Sequence, residues 1–232
     1  MFCLNLGPRL LDAGLWLSDR LDCVHHRLYW DEIDTLGGGG TGFLCDESRC
    51  KNAGVTNTDS VKGRFMIKTG ETLPDERLFE FIDVATEGCA VGPNGFSVRE
   101  RTAGKRVVIF GLPGAFTPTC SARHVPGFID NAEKLAAAGI DEIWCVSVND
   151  AFVMSAWGRD LQTSGKVKMI ADGSARFTRA LGLEQDLSER GMGIRSQRYA
   201  MVVEDSVVKT LNVEAPGKFE VSSAESVLAT LG

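Results

Sequence analysis

The sequence predicts an α/β fold in which helices cover a β-sheet, and two observations carry the prediction. From Met66 onward, short apolar strand-like runs alternate with amphipathic helix-like runs, with turn residues between them. The chain of 232 residues, 44% hydrophobic and 24% charged, also holds enough apolar material for one sizeable core.

Taken in order, Leu78 to Val84 and Phe96 to Val98 predict an N-terminal hairpin-like excursion. Val107-Val108-Ile109-Phe110 reads as a buried strand, Gly111 to Pro118 as a turn, and the residues after Thr119 as a helix. Phe128, Ala132, Leu135 and Ala136 share one face of that helix, and Gly139 ends it. Glu142 to Val148 is the next strand, followed by Asn149 and Asp150 as caps for a helix from Ala151 to about Gln162. Val167 to Ile170 predicts a strand and Ser174 to Leu181 a short helix. Tyr199 to Val203 and Val207 to Val213 form a hairpin around Glu204, Asp205 and Ser206, and Ser223 starts a closing helix with Val227, Leu228 and Leu231 inward.

Residues 1–65 read differently. They hold Cys3, Cys23, Cys45, Cys50, His25, His26 and a glycine run at 37–40, with no sustained helical or strand period. They are expected to be a disordered extension, or upstream sequence before a true start at Met66, leaving 66–232 as the folded domain. The rival reading is a zinc site from Cys23, His25, His26, Cys45 and Cys50, against which stands the lack of a tight C-x2-C or H-x3-H pair.

A formal charge of -6 offers no basic surface for nucleic acid or an anionic membrane, so neither is an expected partner. No apolar run approaches the roughly 20 residues of a membrane span, and the N-terminus lacks the order of a secretory signal. The cytoplasm is the default compartment. Seven cysteines, an odd number in scattered positions, suit a reducing environment better than a disulfide framework.

The chemistry concentrates in Leu112-Pro113-Gly114-Ala115-Phe116-Thr117-Pro118-Thr119-Cys120-Ser121. Here a cysteine follows an apolar strand and opens a helix, whose first N–H groups have no intrahelical partners. A thiol at that positive end ionises readily, and the thiolate is the nucleophile. The bland alternative for Cys120 is an inert buried cysteine. His124, one turn on, either shapes the pocket or packs the helix, and Phe116, Phe128 and Phe152 read as wall and core residues.

Pro113, Thr117 and Cys120 match the P-x-x-x-T-x-x-C motif, so the segment resembles the peroxiredoxins. The blocks His124-Val125-Pro126-Gly127-Phe128, Val146 to Met154, Ala171-Asp172-Gly173-Ser174 and Leu211-Asn212-Val213-Glu214 are similar to the type II, or five-like, subfamily. The resemblance implies a thioredoxin-like fold with a central mixed β-sheet flanked by helices. It also implies a thiol-specific peroxidase that reduces hydrogen peroxide and alkyl hydroperoxides through a sulfenic acid on Cys120. No metal, haem or flavin cofactor is implied. The reductant would be an external thiol, glutathione with or without glutaredoxin, or thioredoxin, and the assembly a homodimer.

In such a reaction the thiolate displaces one peroxide oxygen while charge builds on the other. Thr117 would place its hydroxyl beside the sulfur and the peroxide, and Pro113 would shape and dry the pocket. The family's pocket arginine corresponds to Arg198, with Arg195 the weaker candidate and a surface ion pair the bland alternative for Arg198. Cys145 lies mid-strand and reads as a core thiol. Some plant members carry a cysteine there, so the resemblance also allows it to resolve the sulfenic acid as a disulfide. Where other members carry a resolving cysteine near the C-terminus, this chain has Ser222, and Cys89 is given no role. Two rival functions remain: a disulfide reductase, which would want C-x-x-C where Thr117 stands before Cys120, and a peroxide sensor that passes oxidation to a partner protein.

Overall fold

The computed structural model describes residues 65–83 and 91–232. The expectations for residues 1–64, the zinc alternative included, and for Cys89 lie outside the described residues.

Nine strands and six α-helices follow one another among the described residues. The hairpin of β1 (Arg77–Ile82) and β2 (Gly92–Ser97) leads into α1 (Val98–Thr102), then β3 (Arg106–Leu112). A π-helical turn (Cys120–His124) runs into α2 (Val125–Asp130), followed by α3 (Ala132–Ala137), β4 (Glu142–Ser147) and α4 (Ala151–Asp160). Next come β5 (Lys168–Ala171), α5 (Arg176–Ala180), the short strands β6 (Glu184–Asp186) and β7 (Ile194–Ser196), β8 (Tyr199–Glu204), β9 (Val207–Val213) and α6 (Ala224–Leu231).

Seven strands form one sheet in the order β2-β1-β5-β4-β3-β8-β9, and β6 pairs with β7 in a small second sheet. The sheet is mixed as expected: β3, β4 and β5 run parallel, while β1, β8 and β9 pair antiparallel with their neighbours. The period of two along β3 divides the core. Val108, Phe110 and Leu112 face the layer of α2, α3, α4 and α6, while Val107 and Ile109 face the layer that holds Val98, Phe177 and Leu181. Both faces are covered, which is why the central strands read as continuous apolar runs.

Several local expectations need correction. Val98 does not end the second strand but opens α1, because the Ser97 hydroxyl accepts from Glu100 N–H at 3.2 Å and caps a helix. The segment Ser97-Val98-Arg99-Glu100 carries the capping-box signature that announced it. Gly111 belongs to β3 rather than to the turn, and a Cβ there would collide with the Tyr199 ring packed across it. The helix after Thr119 breaks at Asn131, whose side-chain amide donates to Gly127 O at 2.9 Å. The break shifts the phase, so Phe128, Ala132 and Leu135 are buried while Ala136 faces out. Gly139 does follow this helix, at φ +84°, a conformation that glycine adopts without strain.

Asp150 caps α4 by accepting from Val153 N–H at 2.9 Å, whereas Asn149 is drawn into the site described below. Of the three phenylalanines, Phe128 is core. Phe116 sits in a tight turn at φ 59°, 55% exposed, and Phe152 is 63% exposed on the first turn of α4. The closing helix behaves as its pattern requires: Ser223 caps it, Val227 is buried, and Leu228 and Leu231 pack partly buried on the core.

Candidate active site

Strand β3 ends at Leu112, and the chain turns through Pro113 to Thr117 before entering the helix that carries Cys120. Pro118 and Thr119 are already helical, so Cys120 lies in the first helical turn, at the start of its π-wound segment. π-turns inside helices recur at functional sites because they re-aim side chains. The Cys120 side chain enters the core between sheet and helices and has no exposed surface. Trp157 of α4 holds the turn in place, donating from its indole N–H to Ser121 Oγ at 3.1 Å.

The turn preceding Cys120 is stitched from both sides. The Thr117 hydroxyl donates to Gly114 O at 2.8 Å, closing the loop on itself. Asn149 Oδ1 accepts from Ala115 N–H at 3.0 Å, from Ser147 Oγ at 2.7 Å and from Arg195 Nη1 at 3.4 Å. Arg195 also donates to Met192 O at 2.8 Å and Val148 O at 3.3 Å, so this arginine is occupied in tying β7 to the loop after β4.

The sequence positioned Arg198 near the thiol through a resemblance, and the structure places it there by topology. β8 lies beside β3 in the sheet, and Arg198 just precedes β8 on the side where β3 delivers the cysteine turn. Its Nη2 donates to Cys120 Sγ at 3.4 Å and its Nη1 to His124 Nδ1 at 2.9 Å. Since a guanidinium has no acceptor, Nδ1 is the accepting nitrogen and Nε2 carries the proton, which it donates to Ser222 O at 3.0 Å. The sulfur thus faces a fixed, always-charged donor. Phe219 closes this group from the C-terminal side, its ring centre 4.9 Å from that of His124 and 5.7 Å from the Arg198 guanidinium carbon.

Burial, then the Arg198 charge, lowers the His124 pKa from its ordinary 6.5 to about 3, so the imidazole is neutral. An unfolded chain therefore binds a proton that the folded one refuses, and stability is lost as pH falls from about 6.5 towards 3. His124 alone contributes a slope of up to about 1.4 kcal/mol per pH unit in that window. Urea unfolding at pH 7 and pH 5 tests this: the protein is weaker at pH 5, and His124→Phe flattens the difference. An equal pH dependence in both proteins contradicts it.

A cavity of about 500 Å³ opens over the site. Pro113, Thr117 and Arg198 line it together with Leu187, Arg190, Met192, Glu214 and Lys218. Pro113, Thr117 and Arg198, which the sequence singled out, thus share one pocket, and Cys120 lies buried behind it against Arg198. Cys145 also belongs to the apolar cluster that contains Cys120, but it is fully buried in β4 and burial pushes its thiol well above the ordinary range, with Cys120 adding to the rise. Both cysteines are free thiols. Sequence reading gave Glu214 no role and Ser222 only that of a missing cysteine. Ser222 Oγ in fact donates to Glu214 Oε1 at 2.9 Å. Among the described residues no cluster of His, Cys, Asp or Glu is arranged to hold a metal ion, and no helix is long and apolar enough to cross a membrane.

Comparison with known proteins agrees with this geometry. The Redoxin family profile matches residues 68–228. Peroxiredoxin-2D of Arabidopsis thaliana is 50% identical over 165 residues, covering 71% of this chain and 98% of that protein. Among solved structures, reduced Prx3 of Vibrio vulnificus in complex with hydrogen peroxide is 52% identical with a TM-score of 0.67, covering 72% of this chain and 100% of that one. A Burkholderia cenocepacia chain solved as a candidate thioredoxin reductase is 76% identical with a TM-score of 0.71, covering 72% and 99% respectively. A helix-opening cysteine under a cationic donor, on a mixed thioredoxin-like sheet and with these relatives, makes the chain a member of the peroxiredoxins, in their type II, five-like branch.

Proposed function

We propose that the chain is a one-cysteine peroxidase that reduces hydrogen peroxide and organic hydroperoxides and is restored by glutathione, directly or through glutaredoxin. The observation that carries the reading is the Arg198 guanidinium, which donates to Cys120 Sγ at 3.4 Å beside a pocket lined by Thr117 and Pro113. The Cys120 thiolate attacks one peroxide oxygen, the O–O bond breaks, and the other oxygen leaves with a proton as water or alcohol. Arg198 stabilises the charge growing on the leaving oxygen. Thr117 spends its O–H on Gly114, so its oxygen lone pairs remain to accept the peroxide O–H and align it. Pro113 supplies wall without an N–H to compete.

The resulting sulfenic acid condenses with one glutathione, releasing water and leaving a mixed disulfide. A second thiol then frees Cys120 and departs as oxidised disulfide. The protonated, fully buried Cys145 is a poor nucleophile for the sulfenic acid, which favours the external thiol. Cys145→Ser is therefore expected to keep most glutathione-supported turnover, and mass spectrometry after one equivalent of peroxide and then glutathione finds the adduct on Cys120. A Cys120–Cys145 disulfide, with the serine variant stalling after one turnover, would instead establish a two-cysteine cycle in which β4 opens.

Hydrogen peroxide as a substrate is supported by the Vibrio vulnificus relative solved with it. The disulfide-reductase reading, which the Burkholderia cenocepacia description raises, meets Thr117 where a second cysteine of C-x-x-C would stand. The cytoplasm, where glutathione keeps thiols reduced, is the proposed setting. A homodimer is also proposed, and the exposed Phe116 and Phe152 are apolar surface that an interface would cover. Peroxide consumption by the purified chain with glutathione, glutaredoxin and thioredoxin supplied separately tests the choice of reductant. Turnover supported by thioredoxin alone would overturn it.

A further inference from the structure

We propose that Glu214 is a positioning residue for the peroxide reaction, acting through Ser222, His124 and Arg198 on the thiolate of Cys120. The inference concerns the oxidation step only and is independent of which thiol restores the enzyme.

Glu214 follows the last residue of β9 and is buried. One of its carboxylate oxygens accepts four hydrogen bonds: from the N–H groups of Glu220, Val221 and Ser222, each at 2.8 Å, and from Ser222 Oγ at 2.9 Å. Burial works to raise its pKa, but the bonds from Ser222, Glu220 and Val221 prevail and lower it, so the group stays ionised. Such an anchor is out of proportion to the segment it holds. Residues 215–218, 220 and 221 are exposed and bury little of their own. What the anchor fixes is Ser222, fully buried, and with it the direction of the Ser222 carbonyl.

That carbonyl sets the histidine. Ser222 O receives the Nε2 proton of His124 at 3.0 Å, which leaves Nδ1 bare to accept from Arg198 Nη1 at 2.9 Å. A guanidinium is a rigid planar fork, so holding one terminal nitrogen against His124 aims the other, Nη2, at Cys120 Sγ. Residue 214 holds the arginine from a second side as well, because its own backbone N–H donates to Arg198 O at 2.9 Å. Both the main chain and the charged head of Arg198 are thus referred to residue 214.

If the carboxylate is removed, Ser222 and the His124 ring lose their fixed orientation and the fork is free to rotate from the sulfur. A displacement of about 1 Å at a reacting group costs up to about 100-fold in rate. The test follows oxidation of Cys120 by one equivalent of hydrogen peroxide with no reductant present, by stopped-flow tryptophan fluorescence. Glu214→Ala is expected to slow this step about 10- to 100-fold. Glu214→Gln, whose carbonyl oxygen accepts the same N–H groups, is expected to recover most of the rate. In an Arg198→Met background, Glu214→Ala is expected to add less than about twofold, because its effect passes through that arginine.

His124→Phe provides a second cut in the same chain. His124 packs against the rings of Phe110, Phe128 and Phe219, so a phenylalanine fits the site while losing both hydrogen bonds. It too is expected to slow oxidation, and it decides the matter if Glu214→Ala fails to fold. A wild-type oxidation rate in folded Glu214→Ala, or in folded His124→Phe, would overturn the proposal. So would a Glu214→Ala loss of the same factor with and without Arg198, which marks a structural effect unconnected to the arginine.

Discussion

Cys120→Ser abolishes peroxide turnover and leaves the fold intact. The side chain sits fully buried in the apolar cluster shared by β3, β4 and the helices above them, and serine is smaller than cysteine, so nothing there is overpacked. The hydroxyl is not stranded, because Arg198 Nη2 already points at this position and can donate to it. An alcohol at neutral pH is not ionised, however, and without the anion there is no nucleophile for the O–O bond. Peroxide consumption with glutathione at saturating thiol, together with circular dichroism, checks both halves. Retained turnover in a folded variant would move the chemistry away from Cys120.

Arg198→Met carries the second-largest expected loss, about 10²- to 10³-fold in the rate of Cys120 oxidation, the range for removing one preorganised donor at a developing charge. Methionine preserves the unbranched stem but deprives Cys120 Sγ of its donor at 3.4 Å and His124 Nδ1 of its donor at 2.9 Å. The cation beside the sulfur and the donor offered to the leaving oxygen are lost together. Arg198→Lys restores the charge but not the fork, and one ammonium cannot serve both partners in the same geometry, so it recovers only part of the rate. Stopped-flow oxidation at pH 7 measures it. An unchanged rate in Arg198→Met would leave activation to the helix terminus.

The sheet was legible in the sequence because its central strands are apolar on both faces and the turns between them are marked. Val107 to Phe110, Glu142 to Val148 and the hairpin of Tyr199 to Val213 all fall within a residue or two of the observed strands. The strands β6 and β7, three residues each and partly exposed, offer no such period and were missed. The interruption at Asn131 also escaped, since it depends on a side-chain bond to Gly127 that competes with the helical ladder. At the site, Cys120 was visible where an apolar strand gives way to a helix, and Pro113 and Thr117 through the short motif they form with it, which resembles that of the peroxiredoxins. Arg198 is reached only across the sheet, and its place came from resemblance rather than from any local pattern. The bonds from His124 to Ser222 and from Glu214 to the 220–222 segment are invisible in the sequence, because neither residue stands in a periodic or motif position that demands the other.

The fate of a single peroxide oxygen decides whether Cys120 is the attacking thiol. The purified chain is mixed with one equivalent of hydrogen peroxide, without reductant and with dimedone present to trap sulfenic acid, and peptides are mapped by mass spectrometry. The prediction is that peroxide is consumed one for one with protein and that the dimedone adduct is found on Cys120, with Cys145 recovered as free thiol. Peroxide left unconsumed, or an adduct on another cysteine with Cys120 unmodified, contradicts it.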